Sequence, residues 1–162
     1  MSKTKAYGVC MYVKHNDSFK ILLCQSVDNL NKWGFLKGTK RGNETPRKAA
    51  VREFYEESSI KIERKNLEYF FYQKNKKKDV GIFMLDGSTI KNLHSFFDAD
   101  VLKKKYICAE NENVQFFDIK ELPKIKKKQL SLIAKVIDVL DDKLPSKPNI
   151  TLDYLGPNLN SF

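Results

Sequence analysis

Gly38-Thr39-Lys40-Arg41-Gly42-Asn43-Glu44-Thr45-Pro46-Arg47-Lys48-Ala49-Ala50-Val51-Arg52-Glu53-Phe54-Tyr55-Glu56-Glu57-Ser58-Ser59-Ile60 is the stretch on which the reading of this chain turns. Thr45 followed by Pro46 offers an N-cap and a proline at the first helical position, so a helix is predicted from Pro46 to about Ser58. On that helix Glu53, Glu56 and Glu57 stand at i, i+3 and i+4, within about 100° of one another on one face. Like carboxylates at this spacing repel by a few tenths of a kcal/mol per pair, and a hard divalent cation removes the penalty. Oxygen-rich sites of this kind suit Mg²⁺ or Mn²⁺ and, through them, phosphate substrates. Val51, Phe54, Tyr55 and Ser58 point away from the acidic stripe, toward the core. Ala49, one turn before Glu53, leaves room for an ion and a phosphate. Arg52 can pair with Glu56 or Glu44 and fix a carboxylate rotamer. Taken alone, three glutamates also describe a solvated helix face paired with Lys and Arg; the spacing of Gly38 and Glu44 is what that description leaves over.

Outward from this helix, Ala6 to Val13 and Phe19 to Ser26 flank the turn His15-Asn16-Asp17-Ser18 and are predicted to form an antiparallel pair. Residues 28–45 contain Gly34, Gly38 and Gly42 and read as irregular. Leu67 to Gln73 and Asp79 to Leu85 predict a second hairpin around the Lys-rich turn 74–78. Residues 86–105 predict an irregular connection with a short helical piece. Tyr106 to Ala109 and Val114 to Phe117 read as short strands, with a turn over Asp118 to Pro123. Leu132, Ile133, Val136, Val139 and Leu140 give residues 129–144 the period of an amphipathic helix. The order predicts one α/β (α+β) domain over residues 1–144, a mixed sheet with helices around it, and a tail over residues 145–162.

A chain of 162 residues, 41% hydrophobic and 12% aromatic, is long enough to bury a core. Cys10, Cys24 and Cys108 are odd in number, widely spaced and in apolar surroundings, which predicts buried reduced thiols and no metal-ligand spacing. No apolar run approaches the ~20 residues needed to span a bilayer, and no signal-peptide core is present. The expectation is an intracellular, cytoplasmic protein with no membrane association. Thirty Lys+Arg against twenty Asp+Glu give a formal charge of +10, and with several of the carboxylates clustered in one site the rest of the surface is expected to be strongly basic. Such a field concentrates polyanions: RNA, nucleotides or inositol phosphates.

The stretch from Gly38 to Ile60 resembles the Nudix box, Gly-x5-Glu-x7-Arg-Glu-U-x-Glu-Glu-x-Gly-U, where U is a bulky apolar residue. It departs at Ser59, where the family has glycine, usually in a left-handed conformation. The resemblance implies the Nudix fold, a mixed sheet sandwiched between helices, and a hydrolase that attacks a phosphorus of a pyrophosphate with water. It implies Glu53, Glu56 and Glu57 as metal ligands, the carbonyl of Gly38 as a further ligand, and Glu44 as support of the loop through Arg52. Glu57 and Glu56 are the candidate general bases inside the box. A metal bound there stabilises charge on phosphate oxygens and acidifies water.

Trp33-Gly34-Phe35-Leu36-Lys37-Gly38-Thr39-Lys40 resembles the opening of mRNA-decapping Nudix enzymes, with Leu36 in place of a proline. Ala109 to Phe116 resembles a segment of those enzymes whose glutamate is a ligand or base, and alignment on Val114 and Phe116 selects Glu110 for that part. Lys37 and Lys40 are expected on substrate phosphate. The first expectation is therefore a decapping enzyme acting on capped or 5′-polyphosphorylated RNA. It would use Lys76, Lys77 and Lys78, with the tracts 103–105 and 124–128, for backbone contact, and Tyr7, Tyr12 or Phe96 for stacking. The alternatives are a small-molecule hydrolase of dinucleoside polyphosphates, diphosphoinositol polyphosphates or nucleoside diphosphates, and a non-catalytic nucleotide- or RNA-binding module. The sequence leaves the oligomeric state open.

Overall fold

The computed structural model describes residues 3–144; the expected tail, residues 145–162, lies outside the described residues. Its centre is strand β1 (Thr4–His15), which turns at Asn16, φ +53°, into β2 (Ser18–Ser26) and pairs with it antiparallel. A short strand β3 (Leu36–Thr39) pairs antiparallel with residues 6–9 of β1. Helix α1 (Pro46–Ser58) follows, then β4 (Leu67–Gln73) and β5 (Lys78–Asp86), with β5 parallel to β1. After 3₁₀ turns at 87–89 and 93–96 come a two-residue pair β6 (Phe97–Asp98) and β7 (Val101–Leu102), then β8 (Asn111–Asp118) and helix α2 (Leu130–Lys143). The eight strands form one mixed sheet in the order β4-β5-β1-β2-β8-β7-β6, with β3 beside β1.

The central strands bury both faces, and their period of two divides the core in two. Val9, Met11, Leu22, Phe83 and Leu85 pack with Ala49, Ala50 and Phe54 of α1. Their neighbours Cys10, Ile21, Leu23, Ile82 and Met84 pack with Leu132, Ile133, Val136 and Leu140 of α2. The sheet is thus held between its two helices, as the resemblance implies.

The hairpins and both helices lie where the sequence predicts them, and three local expectations are corrected. Strand β3 sits inside the stretch read as irregular; four residues containing Lys37 and Gly38 carry no strand pattern of their own, and the ladder with β1 supplies the order. Tyr106 to Ala109 is no strand: Lys104–Tyr106 is a 3₁₀ turn, and the Tyr106 carbonyl accepts a side-chain bond. Residues 86–105, beyond turns, also add β6 and β7 to the sheet.

Candidate active site

Helix α1 begins as its sequence requires. Thr45 is extended, its hydroxyl accepts from the amide of Lys48 at 3.2 Å, and Pro46 takes the first turn. Phe54 and Ala49 are fully buried against the sheet, so Ala49 serves close helix packing and not, as expected, space for an ion. Tyr55, expected in the core, is exposed. Packing of Phe54 fixes the helix rotation and turns the acidic stripe toward β3 and the start of β8.

Arg52 organises the upper part of that stripe. Its Nε and Nη2 donate to both oxygens of Glu44 at 2.6 and 2.9 Å, its Nη1 to Glu53 at 2.7 Å and to Glu56 at 3.2 Å, and Nη2 also to the Thr39 carbonyl at 3.1 Å. These five bonds use its full donor set. Glu44 also accepts from the amide of Arg41 at 2.8 Å. Above all the Arg52 bond holds its carboxyl near pKa 2, so Glu44 is a permanent anion that anchors the loop. Arg41 reaches Glu56 at 3.2 Å as well.

Glu57 sits lower and differs in kind. It is 8% exposed, accepts from the Asn111 side chain at 3.1 Å, and lies 3.9 Å from the Cys24 thiol. Burial pushes its pKa up to about 8; the Asn111 bond and Lys37 oppose the rise, and Glu53 and Glu110 add to it. Glu53 is 9% exposed. A Cβ placed on Gly38 would lie 2.1 Å from the Glu53 carboxyl, so any side chain there would displace that carboxylate from the position in which Arg52 holds it. Two shielded carboxyls, an all-oxygen donor set and a glycine-lined crossing fit a hard divalent cation, which Glu53, Glu56, Glu57 and the Gly38 carbonyl could hold. Among the described residues no three His, Cys, Asp or Glu side chains converge in ligating geometry, and Glu53 and Glu56 are both paired with Arg52. Glu110 is exposed at the rim, with its own carbonyl bound by the amide of Val27.

Strand alternation sends Lys37 to the opposite face of β3 from Gly38. There it lines a cavity of about 790 Å³ with Lys32, Lys76, Lys77, Lys78 and Lys126–Lys128. Burial and the neighbouring Lys78 and Lys126 lower its pKa. The rest of the lining is Asn29, Asn75, Val80 and Gln129: no acid and no aromatic ring. Gln73 ties the two lysine tracts together, donating to the Lys128 carbonyl at 2.7 Å and to the Asn75 side chain at 2.8 Å. Asp79 accepts from the amide of Asn75 at 3.1 Å, and Gln129 accepts from the amide of Phe35 at 2.8 Å, fixing the approach to Lys37.

Several expected substrate residues fall elsewhere. Lys40 lines a separate hollow with Lys3 and Lys5 and donates to the Gly42 carbonyl at 2.5 Å. Of the tract 103–105, Lys104 pairs with Glu112 and Lys105 lies over the Tyr106 ring, away from the cavity. Tyr7 and Tyr12 are buried, and Phe96 packs on Tyr106. Sequence reasoning missed Asn111, the partner of Glu57, although it lies beside Glu110 in the segment singled out. It also missed Gln73 and Lys32, which carry no local signal. Cys10 and Cys24 are buried free thiols, as expected, while Cys108 is half-buried beside Asn111. No helix among the described residues is long and apolar enough to cross a membrane.

The family model described as NUDIX domain matches residues 3–137. Among solved structures, an Ap4A hydrolase from C. elegans in a binary complex is 23% identical, covering 86% of this chain and 98% of its own, with a TM-score of 0.62. A NUDIX hydrolase from Nitrosomonas europaea is 18% identical over 90% of this chain and 76% of its own, TM-score 0.65. The NUDIX domain of NrtR from Shewanella oneidensis, complexed with ADP ribose, is 13% identical over 86% and 90%, TM-score 0.62. Among curated proteins no sequence match was found.

Proposed function

Because this chain belongs to the Nudix family and is a hydrolase of phosphorus-containing anhydrides, we propose that it cleaves a small, densely phosphorylated substrate, a diphosphoinositol polyphosphate before a dinucleoside polyphosphate. The observation that carries the choice is the cavity that Lys37 lines, with eight lysines and neither an acid nor an aromatic side chain in its lining; the charge of Lys37 also acts on Glu57. Clustered lysines suit several phosphates at once, whereas a nucleobase or cap asks for a stacking surface. The capped-RNA reading drew on three lysine tracts and on Tyr7, Tyr12 and Phe96. One tract lies away from the cavity, two of the rings are buried and the third packs on Tyr106. The structural neighbours named for Ap4A and ADP ribose fit small nucleotide-type substrates, which is where RNA loses further support.

Nudix hydrolases generally use divalent metal ions. Here Glu53, Glu56, Glu57 and the Gly38 carbonyl would hold Mg²⁺ or Mn²⁺, which when bound would neutralise phosphate charge and acidify water. The chain's own part is to bind, align and accept a proton. Lys37 and the lysines of 76–78 and 126–128 orient the phosphates. Water adds to phosphorus as the bond to the bridging oxygen breaks, and the proton passes to a carboxylate, for which Glu57, Glu56 and Glu110 are available. Arg52, saturated by its five bonds, holds Glu53 and Glu56 in register.

The test is a product assay with Mg²⁺ or Mn²⁺ on a diphosphoinositol polyphosphate, diadenosine polyphosphates and cap-labelled RNA, with Glu57→Gln as control. Turnover of the small substrates with a loss of about 100-fold or more in the variant is expected. Release of m⁷GDP from capped RNA in preference to both would return the assignment to decapping, and binding without turnover would leave a non-catalytic module.

A further inference from the structure

Ser59 stands where the Nudix box has glycine. It adopts the left-handed conformation that favours glycine, φ 64° and ψ 8°, with its amide closing α1 on the Tyr55 carbonyl. A side chain in that conformation is strained, and here it makes a contact that glycine cannot. Its hydroxyl donates to the Tyr106 carbonyl at 3.1 Å. Five residues on, Asn111 donates to Glu57 at 3.1 Å. Glu57 in the last turn of α1 and the capping Ser59 two positions on therefore grip both ends of the segment 106–111. That segment contains no strand before β8; it is also held by packing of Tyr106 and Ile107 on the core, by the ring of Tyr106 on Phe96, by the Glu110 carbonyl to Val27, and at Asn111 by Cys108 and the pairing with Ser26.

We infer, resting on the assignment of Glu57 to the active site, that Ser59 is a positioning residue: through Tyr106 it fixes the segment that sets Asn111 on Glu57 and Glu110 at the rim. The departure from glycine then exchanges an unstrained helix end for an ordered support of the site. Backbone geometry near a reacting centre is costly to lose, since displacement by about 1 Å lowers rates by up to 100-fold.

The experiment is Ser59→Gly, alone and combined with Asn111→Ala. Glycine relieves the left-handed strain, so the variant is expected to melt no lower than the parent. Its kcat should nonetheless fall about tenfold with KM within about twofold, and amide exchange over residues 107–111 should quicken. In the Asn111→Ala background the same substitution should cost less than about twofold, because the two act through one path. Unchanged exchange over 107–111, or an equal cost in both backgrounds, would overturn the role. Glu57→Gln separates this from the wider reading: full activity in that variant sinks the active site itself, whereas a Glu57-dependent enzyme indifferent to Ser59→Gly sinks only the tether. Amide exchange reads the tether with or without a known substrate.

Discussion

Glu57 and Glu44 are the same residue type within fourteen positions, yet one is held near pKa 8 and the other near 2. The cause is local: Glu57 is buried, with one amide side chain for a partner, and Glu44 is forked by a guanidinium. A carboxyl whose folded pKa lies above its unfolded value favours the folded state while protonated. That contribution is full below about pH 4.5 and is lost as pH rises through about 8. In metal-free protein, Glu57→Gln is therefore expected to raise Tm at pH 8.5 by several degrees, on the order of a few kcal/mol, and to change it little at pH 4.5. Added Mg²⁺ should recover stability for the parent at pH 8.5 and much less for the variant. Scanning calorimetry at the two pH values checks both; a variant less stable than the parent at pH 8.5 would contradict a carboxyl whose ionisation is opposed by burial.

At the scale of elements, the site is the meeting of α1 with β3 and the start of β8. The Thr45 cap fixes where α1 begins, and Thr45→Ala should cost about 1 kcal/mol by denaturant unfolding without moving the cavity lysines. Gly38 fixes how closely β3 approaches α1. Gly38→Ala should lower kcat by about 100-fold, because the new methyl falls on the Glu53 carboxyl at 2.1 Å. A steady-state assay of that variant at saturating substrate makes the check, and near-normal turnover would mean that β3 and α1 can part without loss of chemistry.

For the whole molecule, a net charge of +10 is not spread evenly: eight lysines meet in one cavity behind β3, with no acid in its lining. Binding dominated by such a cavity is sensitive to ionic strength. KM for a densely phosphorylated substrate is expected to rise about tenfold or more between low salt and 300 mM NaCl, with kcat much less affected. The double substitution K76E/K77E should reproduce that rise at low salt and flatten the salt dependence. Initial-rate kinetics across a salt series would show it, and a KM indifferent to both salt and charge reversal would remove the cavity from substrate binding.

The sequence by itself determined the family, the acidic helix with its cap, the Glu44–Arg52 support, both hairpins and the amphipathic last helix. These are written in short-range terms: a cap beside its proline, carboxylates at helical spacing, apolar residues at a period of two or 3.6. What it could not determine is what meets across the fold. Strand β3 is ordered by β1 and not by its own residues, so the opposite directions of Lys37 and Gly38 were hidden in an apparent loop. Asn111 reaches Glu57 across 54 positions, and Gln73 reaches Lys128 across 55. Which lysine tracts share a cavity, and whether an aromatic ring is free to stack, are decided by pairing and packing between residues distant in the chain; only the tertiary structure brings those together.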